Sequence, residues 1–66
     1  MKTNPDREFA TFLYEELRLE LKQICREPVV YLKVVRNRIR DLNILLAMLA
    51  GEVDHDILME LDEKYS

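Results

Sequence analysis

Leu32-Lys33-Val34-Val35-Arg36-Asn37-Arg38-Ile39-Arg40-Asp41-Leu42-Asn43-Ile44-Leu45-Leu46-Ala47-Met48-Leu49-Ala50-Gly51-Glu52-Val53 is the stretch whose reading decides the fold. Its apolar residues at Leu32, Val35, Ile39, Leu42, Leu46, Leu49 and Val53 recur in alternating steps of three and four. That spacing places them along one side of a single helix, as an a/d heptad seam does. The β-branched start, Val29-Val30-Tyr31-Leu32-Lys33-Val34-Val35, has strand propensity. An isolated strand would have no partner here, and the seam runs through the segment, so the expected helix spans about residues 29–50. Its first half carries Lys33, Arg36, Arg40 and Asn43 on a polar side. From Ile44 to Ala50 it is apolar all round. A helix of that kind needs neighbours on every side, and one short chain has few to offer. Gly51 is the expected stop, through the left-handed cap conformation.

Working outward, Asn4-Pro5 is a helix start: Asn caps free amides and Pro suits the first helical position. Asp6 and Glu8 fall in the first turn, where the helix dipole favours acids. Tyr14, Leu17, Leu21 and Ile24, with Ala10 and Leu13 beside them, form an apolar stripe on a helix of about residues 5–26. Phe12 and Leu19 lie off this stripe, seven residues apart and close to Phe9, and mark a second apolar face. Pro28 disfavours helix at Glu27 and ends the run. A turn is expected there, with a kinked continuous helix as the alternative. Beyond Gly51, Asp54 is an N-cap and Val53 with Leu58 has hydrophobic-staple spacing. Ile57, Leu58, Leu61 and Tyr65 make one face of a short helix at about 55–65. The expected architecture is all-α and a single domain, residues 1–66. It is an antiparallel helical hairpin plus a short C-terminal helix, dimerising into a bundle through Leu32, Val35, Ile39, Leu42, Leu45, Leu46, Met48 and Leu49.

Size supports the dimer. A 66-residue chain buries a marginal core and usually needs a staple. One cysteine, Cys25, forms no internal disulfide and fits a reducing compartment. No apolar run is long enough to cross a bilayer, and the first residues lack a signal-peptide core, so the expectation is a soluble cytoplasmic protein. The net charge of −3 hides a pattern. Residues 26–40 carry Arg26, Lys33, Arg36, Arg38 and Arg40 against Glu27. Residues 41–66 carry Asp41, Glu52, Asp54, Asp56, Glu60, Asp62 and Glu63 against Lys64. A basic middle and an acidic end attract each other within a chain or between two.

Chemistry-bearing constellations are sparse. Lys33, Arg36 and Arg40, with Arg38 and Arg26 near, form a basic stripe of a kind that grips phosphates. The domain is acidic overall and has no glycine-rich loop or recognition-helix motif. Glu15, Glu16 and Glu20 are placed to face these arginines across the hairpin. Asp54-His55-Asp56 holds the only histidine; acids favoured by a helix dipole explain it better than a metal does. Cys25 lacks a base in its own stretch and reads as a small apolar residue. No catalytic residue, cofactor or metal is expected.

Two segments resemble known families in part. Val35 to Leu46 resembles the first helix of all-helical chorismate mutases, over less than a third of the chain; that family's further basic and acidic site residues have no counterpart here. Glu60-Leu61-Asp62 is similar to the end of the motif of small helical-hairpin phosphatases of sporulation regulators, with Leu58 where they carry Ser. Neither family is assigned. The expected function is a non-enzymatic regulatory protein that binds itself and another protein. Phe12, Leu19, Arg36 and Arg40 are its candidate partner surface. By size and class it is comparable to small inhibitors of phages and mobile elements. The alternatives are nucleic-acid binding through Lys33, Arg36 and Arg40, and an enzyme site formed across a dimer by Arg36, Arg38 and Arg40.

Overall fold

The computed structural model describes residues 4–66 and contains three helices: α1 (Pro5–Ile24), α2 (Leu32–Ala50) and α3 (His55–Tyr65). Helix α1 packs along α2 and also against α3, within an envelope of 45 × 21 × 20 Å. Its start follows from its sequence. The Asn4 side chain accepts from the Asp6 amide at 3.0 Å, and Pro5 opens the helix. At the other end the amides of Arg26 and Glu27 bond three residues back, to Gln23 and Ile24, which tightens the last turn. The helix therefore ends two residues before the expected position, within the ordinary fraying of helix ends.

The chain reverses at Pro28 rather than kinking, and α1 and α2 lie antiparallel. Arg7 at the start of α1 reaches the carbonyls of Leu49 and Gly51 at the end of α2, while Glu20 near the end of α1 pairs with Arg38 in the first half of α2. The expected helix start at 29 is corrected to Leu32. Val29 and Val30 are β-branched and follow a proline, and the N-cap residue, Tyr31, is extended and provides no side-chain cap. Gly51 does end α2, with its amide on the carbonyls of Ala47 and Met48. It does so at φ −125°, so the left-handed cap expected from the sequence does not form. Asp54 caps α3 as its position predicts, accepting from the amides of Asp56 at 3.0 Å and Ile57 at 3.2 Å.

The core is built from Ala10, Leu13 and Leu17 of α1, Leu45 and Met48 of α2, and Leu58 and Leu61 of α3. Phe9, Tyr14, Leu42, Ile44, Leu49, Val53 and Tyr65 pack around it, half-buried. On α2 the inward side runs through Arg38, Asp41, Leu45 and Met48, one position back from the apolar seam at Ile39, Leu42, Leu46 and Leu49. The reason lies in the polar groups. Asp41 is 3% exposed, and its carboxylate accepts from Lys64 Nζ at 2.8 Å and from the Tyr65 hydroxyl. Arg38 donates from Nε to Glu20 at 3.1 Å and lies 4.5 Å from the centre of the Tyr65 ring. With its polar members satisfied by α1 and α3, α2 can turn Leu45 and Met48 fully inward. On α3, Leu58 and Leu61 are buried as expected, whereas Ile57 points outward.

Candidate functional site

Two apolar faces and one polar junction hold the candidate residues read from the sequence, and a further exposed apolar patch, Val29, Tyr31 and Val34, lies at the turn between α1 and α2. The polar junction joins all three helices: Glu20 from α1, Arg38 and Asp41 from α2, Lys64 and Tyr65 from α3. Burial works to raise the Asp41 carboxyl. The hydrogen bonds from Lys64 and Tyr65 outweigh it and hold the group below the usual carboxylate range. The bond to Asp41 raises Lys64, and burial followed by that same bond raises Tyr65. For Arg38 burial acts downward, but contacts with Tyr65 and Glu20 raise it overall. No buried side-chain nitrogen or oxygen lacks a partner among the described residues. Each charge is thus answered by a neighbour, and the junction ties the three helices together.

The first apolar face is a groove of about 460 Å³ between α1 and α3, lined by Phe9, Phe12, Leu13, Leu17, Leu19 and Tyr65. Phe12 is 60% and Leu19 57% exposed. Their seven-residue spacing puts them on one line along α1, as the sequence predicts. The groove's polar members are Glu16, Glu20, Gln23 and Asp62, of which three are acids.

The second face is the outward side of α2, a shallow surface formed by Arg36, Ile39, Arg40, Asn43, Ile44 and Ala47. Leu32, Ile39 and Leu46 lie along this side, 70%, 43% and 51% exposed. Of the residues expected to join in a dimer core, Leu45 and Met48 are fully used by the monomer. Val35, Leu42 and Leu49 are half-buried, and Leu32, Ile39 and Leu46 remain free. Sequence periodicity could not separate the two sides of α2, because both repeat at three and four.

The arginines divide between surfaces. Arg38 turns inward to Glu20 and Tyr65, so one of the three acids expected to face the basic stripe does so. Glu15 instead pairs with Arg18 on its own helix. Arg36 and Arg40 stay outside, and with Lys33 they make no ion pair among the described residues. Arg36, Arg38 and Arg40 therefore do not converge on one anion within the monomer. Asp54 is occupied as a helix cap, and His55 Nδ1 lies 2.9 Å from Asp6 Oδ2, linking the starts of α3 and α1. Among the described residues no three His, Cys, Asp or Glu side chains gather as a metal would require. Cys25 is exposed at the end of α1 rather than a core residue, as its neighbours had implied. No helix among the described residues is long and apolar enough to cross a membrane.

Comparison with protein-family models, with curated proteins and with solved structures gives no significant match. The class that the fold defines is a small three-helix protein in which an antiparallel hairpin is closed by a short third helix. The two partial family resemblances gain nothing from the comparisons, and the functional reading rests on the chain's own surfaces.

Proposed function

We propose that this chain is a non-enzymatic protein–protein interaction protein, self-associating and acting on a second protein by covering part of its surface. The observation that carries the reading is the α1/α3 groove. Two bulky apolar side chains, Phe12 and Leu19, stand in water on one line, beside a floor of Leu13 and Leu17 and next to Glu16, Glu20 and Asp62. Large apolar groups held on a rigid helix are the usual anchors of helix-in-groove recognition. The acids favour a partner helix with Lys or Arg beside its apolar stripe.

The test is site-specific photo-cross-linking in the native cell, with the cross-linker at position 12 or 19 and a control at exposed Glu8. The reading requires the same partner protein at 12 and 19 and none at 8. It also requires loss of that partner when Arg or Lys replaces both Glu16 and Asp62, the groove acids with no ion pair among the described residues. No position-dependent product at 12 or 19 would end it. The nucleic-acid reading has one supporting observation, the unpaired Lys33, Arg36 and Arg40. Ile39 and Leu46 interrupt that surface, so the protein reading is preferred. Steeply salt-dependent retention of labelled DNA or RNA would reverse the preference.

A further inference from the structure

We infer that the outward side of α2 is a self-recognition seam on which a second copy packs antiparallel, the basic first half of one α2 lying over the acidic end of the other. The inference rests on the reading of the chain as an interaction protein only in treating exposed apolar faces as contacts, since the α1/α3 groove lies elsewhere on the molecule.

The first observation is a second periodic line. Leu32, Arg36, Ile39, Asn43, Leu46 and Ala50 alternate in steps of four and three, on the side of α2 away from Asp41, Leu45 and Met48. Leu32, Ile39 and Leu46 recur every seven residues, as one core position of a coiled coil does. The intervening position holds Arg36, Asn43 and Ala50. Arg36 lies at the end of the line, and Asn43 near its middle is the kind of polar residue that fixes register at some loss of stability. Ala47 and Ala50 are small, so a partner helix can approach closely at that end. The line crosses the whole of α2, about 28 Å for its 19 residues.

The second observation is charge. Helix α2 has no acid in its first turn and no base in its last. Lys33 and Arg36 sit instead near its positive pole, against the helix dipole, and Glu52 and Asp54 follow its negative pole. Within one copy this arrangement is unfavourable. An antiparallel second copy reverses it: Lys33 and Arg36 of each copy come over the negative pole and the exposed Glu52 of the other. A parallel copy would instead stack cation on cation and pole on like pole. Charge complementarity therefore selects both the partner and its direction. The contact is isologous, so every pairing occurs twice and the assembly closes as a two-fold dimer.

The third observation is surface area. The chain exposes 5299 Å² at 7.9 kDa, whereas a compact monomer of that mass exposes roughly 4,400 Å². The excess, roughly 900 Å², is spread over the exposed apolar residues of α1, the turn between α1 and α2, and the outward side of α2, so the seam accounts for part of it. A seam of one helix per copy is narrow, so the association is expected to be weak and to appear as a monomer–dimer equilibrium.

The experiment is sedimentation equilibrium on the full chain across the micromolar range, combined with charge reversal and cysteine cross-linking. The wild type is expected to be a monomer–dimer equilibrium. Lys33→Glu/Arg36→Glu is expected to weaken association about tenfold or more. Because it places acids at the start of α2, it is also expected to leave the monomer's thermal midpoint at low concentration unchanged or higher, a result that misfolding does not give. Adding Glu52→Arg should restore part of the loss. In a Cys25→Ser background, Asn43→Cys near the two-fold axis should form a disulfide-linked dimer under mild oxidation. Leu32→Cys, at opposite ends of an antiparallel pair, should not. A strictly monomeric wild type, an unchanged dissociation constant for the double reversal, or cross-linking through Leu32→Cys equal to that through Asn43→Cys would each overturn the proposal. Phe12→Ala/Leu19→Ala tests the groove separately and should leave self-association unaltered; if it abolished the dimer while the charge reversal did not, the seam would belong to α1 and not α2.

Discussion

Asp41 is the residue on which the arrangement of this small core turns. A carboxylate that is almost fully enclosed is costly unless it is paired and hydrogen-bonded. Here Lys64 and Tyr65 supply both, and Lys64 remains partly in water. Asp41→Asn keeps the shape but removes the charge, and is expected to lower unfolding stability at neutral pH by about 1–2 kcal/mol in urea titration. The pH dependence follows from the shifts. Asp41 is held below its ordinary value, so its contribution is complete above the usual carboxylate range and is lost as pH falls through that range towards the lower folded value. The acid limb of a stability–pH curve should therefore flatten in Asp41→Asn. Tyr65 and Lys64 are raised. Their contribution is complete below their ordinary ranges and fades as pH rises through them, and Tyr65→Phe should remove the phenol's share of that alkaline loss. Away from the charges, Leu45 is fully buried. Leu45→Ala is expected to cost about 2–5 kcal/mol. A domain of this length holds roughly 3–10 kcal/mol in all. The variant should therefore lose a large share of its stability, read as a lowered midpoint of the helical circular dichroism on heating.

At the scale of the element, local chemistry was legible and orientation was not. Asn4-Pro5 and Asp54 announce two helix starts because capping uses a side chain within three residues of the amide it satisfies. Asp54→Ala should therefore cost about 1 kcal/mol by denaturant unfolding, with early loss of protection in α3. The same locality identifies Pro28 as the reversal and Leu58 with Leu61 as the buried side of α3. Which side of α2 faces inward was hidden. Apolar periodicity favours Ile39, Leu42, Leu46 and Leu49, but the side chosen includes two charges, and their partners stand on other helices: Glu20 eighteen residues before Arg38, Tyr65 twenty-four after Asp41. Nothing in a helical wheel reports a partner at that distance. The candidate surfaces divide in the same way. Phe12 and Leu19 could be read as a second apolar face of α1, but their exposure follows only from how α1 sits against α2 and α3. Lys33, Arg36 and Arg40 could be read as a stripe and Glu20 as an acid facing the arginines, but not that Arg38 is the one that turns inward to it.

For the whole molecule, the main feature is surface out of proportion to core. Among the described residues seven apolar side chains are buried, while Phe12, Leu19, Val29, Tyr31, Leu32 and Leu46 are each more than half exposed. A monomer of this kind gains stability by binding, to itself or to another protein, through mass action. The thermal midpoint should accordingly rise with protein concentration, a trend read by differential scanning calorimetry from micromolar to millimolar samples. High salt should weaken that rise, because the complementary charges at the two ends of α2 are solvent-exposed and screened. A midpoint independent of concentration would leave α2 with a bare outer face.

The clasp at Asp41 also governs cooperativity. A hairpin of α1 and α2 alone would lose the bonds from Lys64 and Tyr65 to Asp41, and would leave Leu13, Leu17, Leu45 and Met48 without the cover of Leu58 and Leu61. The hairpin is thus no stable stopping point on the way to the native state. All three helices are expected to form in one all-or-none transition, with fluorescence of the tyrosines and helical signal coinciding during unfolding. The last turn of the shortest helix, rather than the long hairpin, is what commits the chain to its fold.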